Sequence, residues 1–151
     1  MNIRIATLIS TLVILISCKS GDNHKTPKPP LSFVSATQSE WTAGIPQGGH
    51  GTEYTFTVIA NSEDIRCDSA WVNEQRLSIK TFKGLELVKS SDQFTKGDTL
   101  RLRCTSRDNS IKATSPADYE TGQALVRAYK DTTPYYLLIT DIETLKKTPR
   151  P

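Results

Sequence analysis

His50 stands in the stretch Ile45-Pro46-Gln47-Gly48-Gly49-His50-Gly51, close to three glycines. Glycines let a backbone approach a ligand closely. An imidazole changes charge near neutral pH, so the chemistry on offer is proton transfer or metal ligation. Neither role works alone. A general base needs an orienting group, and a metal ion needs two or three further ligands. The other histidine, His24, lies in a proline-rich segment far from this loop. The loop lacks the G-x-G-x-x-G spacing and the following helix of a phosphate-binding fingerprint. A solvated histidine in a hairpin loop is the plain reading of His50, and a hydrolase built around it is the sharper alternative.

Paired carboxylates occur at Glu63-Asp64 and at Asp118/Glu120. Such pairs do acid–base work when burial raises one pKa above the other. Both pairs sit in polar, loop-like surroundings, so solvated surface is the expectation. No serine occupies a G-x-S-x-G elbow. Arg101 and Arg103, with Lys80, could form a basic strip on an outer sheet face, or pair across strands with acids. Tyr135 and Tyr136 open a late strand, which sends one ring inward and the other to a surface that a partner could use.

The remaining reactive side chains are Cys18, Cys67 and Cys104. Cys67 and Cys104 have neither a second cysteine nor a histidine nearby in sequence, a poor pattern for zinc or for a nucleophile–base pair. Cys18 has a distinct context. Before it, MNIRIATLISTLVILIS carries one charge, Arg4, then an uncharged apolar run from Ile5 to Ile16, then the small residue Ser17. That is the layout of a secretory signal, and it is shorter than the ~20 apolar residues of a transmembrane helix. Leu15-Ile16-Ser17-Cys18 resembles the lipobox of bacterial lipoproteins. The resemblance implies cleavage before Cys18 and a diacylglyceryl group on its thiol, with two or three acyl chains (palmitate-like) in the mature protein. It covers the first eighth of the chain and says nothing about the rest.

With Cys18 acylated, Cys67 and Cys104 are the two sulfurs left, in an exported protein whose compartment permits disulfides. The expectation is a Cys67–Cys104 bond. Closing a loop of about 37 residues would contribute ~4 kcal/mol by chain-entropy reasoning. The segment KSGDNHKTPKPP that follows Cys18 has no large apolar residue and three prolines, at 27, 29 and 30. Such a composition favours an extended spacer. The expected organisation is a signal peptide at 1–17, a tether at 18–30, a folded domain at 31–145 and a tail at 146–151.

The net charge of +3 is misleading, because residues 31–145 hold 12 Lys and Arg against 15 Asp and Glu. The positive excess lies in the two ends. A nucleic-acid binder gathers basic residues on its folded unit, so nucleic acid is not an expected partner.

Within 31–145 the hydrophobic period is two nearly everywhere. Thr52–Ala60 alternates Tyr54, Phe56, Val58 and Ala60 on one side. In TLRLRCTS, Leu100, Leu102 and Cys104 oppose Arg101, Arg103 and Thr105. The same alternation places Ile65, Cys67, Ser69 and Trp71 on one face of IRCDSAWV. Further strands are read at 33–42, 77–83, 85–89, 123–130 and 135–143, the last two joined as an antiparallel hairpin through Asp131–Pro134. About eight short strands and no sustained helical spacing imply an all-β fold, a single antiparallel β-sandwich. Its architecture is similar to immunoglobulin domains, although Trp71 falls only four residues after Cys67 and the tyrosine corner is absent. No cofactor and no metal site is expected. The function expected is a lipid-anchored, non-enzymatic binding or accessory module of the bacterial cell envelope. It would attach through Cys18, at the outer membrane on its periplasmic or surface side, and take an envelope protein or a glycan as partner. An inhibitor or immunity lipoprotein against an envelope-targeting toxin or hydrolase is the second reading.

Overall fold

The computed structural model describes residues 29–44, 49–89, 94–107 and 112–150, and side chains up to residue 146. Cys18, the signal segment 1–17 and the tether as far as Lys28 lie outside the described residues. Among the described residues no helix is long and apolar enough to cross a membrane.

Among the described residues, ten strands form two sheets. The six-stranded sheet has the order β10-β1-β2-β7-β5-β6: β10 (Glu143–Arg150), β1 (Leu31–Ala43), β2 (His50–Ala60), β7 (Thr99–Arg107), β5 (Lys80–Lys83) and β6 (Glu86–Leu87). The four-stranded sheet has the order β4-β3-β8-β9: β4 (Gln75–Ser78), β3 (Ile65–Val72), β8 (Ala124–Lys130) and β9 (Thr133–Ile139). This is the all-β sandwich that the alternation implies. All pairings are antiparallel except β1 with β10, which run parallel.

The core lies between the inner faces. Phe56, Val58 and Ala60 of β2 are fully buried, and so are Leu100 and Leu102 of β7. Tyr54 stacks on Phe56 with centroids 6.4 Å apart. The opposing strand β8 contributes the smaller Ala124, Val126 and Ala128. Large residues on one sheet thus meet small ones on the other, which lets the layers interdigitate. Each fully buried large apolar side chain contributes about 1.5–3 kcal/mol relative to exposure. Burial also raises the Tyr54 phenol above its ordinary pKa, against the lowering effect of hydrogen bonds with Thr52 and Ser106.

Strand β3 departs from simple alternation. Its register against β8 shifts between Cys67 and Ser69, so Asp68 is an inserted residue. A one-residue bulge exchanges every later side chain between faces. Ile65 and Cys67 join the core before it, and Ala70 and Val72 join it afterwards. Ser69 and Trp71 face outward instead, where Trp71 tilts against Tyr136 at 6.4 Å. The shared face expected for Ile65, Cys67, Ser69 and Trp71 is therefore corrected.

The expected disulfide is corrected as well. Cys67 and Cys104 are both buried and both free. Cys67 belongs to β3 of one sheet and pairs with Ala128, while Cys104 belongs to β7 of the other and pairs with Tyr54. The two thiols border separate depressions, Cys67 beside Ile65, Arg66 and Phe94, Cys104 beside Arg76, Leu77 and Ser78. Burial pushes each thiol up to about 12.

Two boundaries also differ from expectation. The segment 77–83 is two strands: β4 pairs with β3, β5 pairs with β7, and Ile79 is the crossing between sheets. Its N–H donates to the Asp68 carbonyl over 3.0 Å. The segment expected as a tail from 146 onward belongs to β10, which follows β1 as far as Ala43 opposite Arg150. An edge strand is held by its backbone ladder, so it needs no apolar alternation.

Candidate functional site: a basic groove on the outer sheet face

Strand register puts three rows of side chains on the outer face of the six-stranded sheet. Trp41, Gly51 and Arg107 form one row, Ser39, Glu53 and Thr105 the next, and Thr37, Thr55, Arg103 and Lys80 the third. A groove of about 760 Å³ follows these rows and continues past the end of β5 to Arg76, Leu77 and Ser78 of β4. Its size is that of an ordinary ligand site. Four cationic residues, Arg76, Lys80, Arg103 and Arg107, line it against a single acid, Glu53. Arg103 Nη2 donates to Glu53 Oε1 over 2.6 Å and its guanidinium lies 5.4 Å from the Phe82 ring centre. That engagement leaves the groove with a surplus of positive charge.

The floor depends on a glycine. Trp41 is directly opposite Gly51, and is only 7% exposed although it lies on an outer face. A Cβ on Gly51 would stand 3.1 Å from Trp41 Nε1 and would run into the Ser106 carbonyl oxygen. The indole therefore occupies space that any side chain at position 51 would need, an aromatic cover over a strand glycine.

Arg101, Arg103 and Lys80 do share the outer face, as the alternation implies. Lys80 is paired directly with Arg103, and Arg101 donates to the Gly84 carbonyl. The other sequence candidates are not gathered there. His50 is exposed at the start of β2 opposite Thr42, beside a loop closed by Ala43 N–H to Gly49 O at 3.0 Å. Glu63 and Asp64 are exposed in the β2–β3 connection, and Asp118 and Glu120 in the β7–β8 connection. These candidates occupy three separate loops. Among the described residues no group of three His, Cys, Asp or Glu could hold a metal ion. Cys104 borders the groove, but burial, reinforced by the Glu53 charge, keeps its thiol protonated.

A second feature covers the outer face of the four-stranded sheet. Arg66 lies over Tyr129 at 5.3 Å; Arg127 lies over Tyr129 at 5.2 Å and over Trp71 at 5.3 Å; Arg76 lies over Trp71 at 5.5 Å. Cations and rings alternate, each contact contributing about 0.5–1 kcal/mol. Trp71 Nε1 donates to the Thr114 carbonyl at 3.1 Å, so the β7–β8 connection closes over it. Every member is engaged, and the ladder reads as a brace that fixes Arg76 at the rim of the groove. Tyr135 is half-buried and Tyr136 is exposed, one in and one out.

Sequence reasoning missed Trp41, Glu53, Arg76 and Arg107 as neighbours. They come from four strands of two sheets, and only strand order brings them together. One local signal was present: a glycine inside an alternating strand, Gly51, marks a place where something approaches the backbone closely. No protein-family model matches the chain, and no curated protein or solved structure matches it either.

Proposed function

We propose that this protein is a lipid-anchored, non-enzymatic binding module of the bacterial cell envelope. Cys18 carries the anchor, the residues between it and Pro29 form the spacer, and the immunoglobulin-like sandwich presents the groove; Pro29 and Pro30 are already held to the domain by Asn61. The observation that supports the binding reading is the surplus of cations around an open, mainly polar groove, where Lys80, Arg103 and Arg107 meet one carboxylate, Glu53, while Arg76 at the rim is paired with Asp68. Charge of one sign focused in a concave surface raises the local concentration of oppositely charged partners. The histidine and the acid pairs lie on separate loops, which supports capture over catalysis.

Two measurements test this. Intact mass of the membrane-extracted protein should show an acylated chain beginning at Cys18, and Cys18→Ser should release the protein from the membrane fraction. Cross-linking in intact envelopes should trap a reproducible partner that the double variant Lys80→Glu/Arg107→Glu loses. A soluble wild-type protein, or the same partner trapped by the double variant, would overturn the proposal.

A further inference from the structure

Strand β7 is only half covered. On one side β2 pairs with it from Thr99 to Arg107. On the other, β5 pairs with it only as far as Lys80 opposite Arg103. Beyond that point the chain leaves the sheet: Ile79 bonds to Asp68 of the other sheet, and β4 continues there. Among the described residues no strand pairs with Cys104–Arg107 on that edge. At ~3.3 Å per residue the uncovered edge runs for about 13 Å, and it is this edge that the groove accompanies.

Resting on the binding-module reading, we infer that the groove takes an extended acidic segment of a partner protein, added as a strand against Cys104–Arg107. A strand edge offers donors and acceptors at a fixed repeat, which another backbone matches. Side chains on one face of the added strand recur every second residue and lie among Arg107, Arg103 and Lys80. Carboxylates at those positions complement the surplus charge. A sugar chain fits less well. Trp41 has its indole buried over Gly51, and Phe82 has Arg103 over its ring, so neither offers an open stacking face. The acid already present, Glu53, is engaged with Arg103, so the groove's cations Lys80 and Arg107 disfavour a cationic segment.

The test uses the full chain in detergent and three probes: the capped octapeptide (Glu-Thr)4, the same peptide N-methylated at alternate residues, and polygalacturonate. The plain peptide should slow hydrogen exchange about tenfold at Thr105 and Arg107, the alternate amides directed away from β2, roughly 1.4 kcal/mol of protection. Its affinity should fall at least about fivefold in Lys80→Glu/Arg107→Glu, a variant whose thermal midpoint should match the parent, whereas Lys130→Glu should bind as the parent does. Equal binding of the N-methylated peptide would overturn strand addition, as would binding of polygalacturonate alone or no binding of the plain peptide. The two proposals fail separately: groove-dependent cross-linking in envelopes without amide protection leaves the module reading standing and removes the peptide; loss of both removes both.

Discussion

Arg127 holds Asp68 at the point where β3 gains its extra residue, with Nε 2.9 Å from Oδ1 and Nη2 bonded to Oδ2. The arginine stands on β8, and its ring contacts with Trp71 and Tyr129 fix the guanidinium. The pair therefore clamps the bulge from the neighbouring strand.

Partial burial tends to raise the Asp68 pKa, but the hydrogen bond and charge of Arg127, helped by Arg76, outweigh it and hold the carboxyl below its ordinary value. A depressed folded-state pKa stabilises the protein above the unfolded value, near 4, and that stabilisation is lost as pH falls through the folded value. Urea midpoints should therefore drop as pH falls below about 4, the unfolded value. Asp68→Asn should lower stability near neutrality by about 1.5–3 kcal/mol, the range for hydrogen bonds to charged groups, and should flatten this acid limb.

Gly51→Ala should destabilise the sandwich by about 1–3 kcal/mol, the ordinary cost of overpacking. The new Cβ meets the Ser106 carbonyl, which belongs to the β7 backbone and cannot rotate away. Urea unfolding measures the loss, and tryptophan emission should shift as the Trp41 indole is displaced.

Both thiols should be present and inert in the folded protein. A thiol reagent should count Cys67 and Cys104 in denaturant without reductant, and should modify neither within minutes under native conditions. Their raised pKa of about 12 adds a second consequence. Stability from the neutral thiols is complete below the unfolded pKa, about 8.5, and declines as pH rises from there toward 12. Cys67→Ala/Cys104→Ala should show a shallower alkaline decline. A chain that yields no thiols when unfolded without reductant would contradict the structure.

Leu85 is 90% exposed at the β5–β6 turn, whereas Phe56 is fully buried in the core. Leu85→Ser should leave stability within about 0.5 kcal/mol of the parent. Phe56→Ala should cost about 3–5 kcal/mol. Thermal melts of the two variants side by side separate the outcomes.

Alternation alone was enough to place the inner faces of β2 and β7, because Tyr54–Ala60 and Leu100–Cys104 carry one buried face without interruption. It also gave the β8–β9 hairpin, where Lys130 is paired with Thr133 across a two-residue turn. It failed where the backbone does something that side-chain type does not encode. The bulge at Asp68 is written in no polarity pattern, since Cys67, Ala70, Trp71 and Val72 are all apolar. The crossing at Ile79 falls within LSIKTFK, which reads as one strand because both of its halves alternate. β10 carries two lysines and a proline in its last five residues and borrows its order from β1. The groove inherits all of these difficulties. Lys80, Arg101 and Arg103 were visible as a strip, but Trp41, Glu53 and Arg76 became their neighbours only through pairings distant in sequence.

The bulge makes phase, more than residue identity, the fragile property of β3. Ile65, Cys67, Ala70 and Val72 share the inner face only because Asp68 stands outside the ladder. A descendant gene that drops the codon for Asp68 should therefore keep that face, since Cys67 and Ser69 would become ordinary neighbours in the same register. Losing codon 70 or 71 would instead turn Val72 toward solvent, so gaps there should be far rarer than replacements.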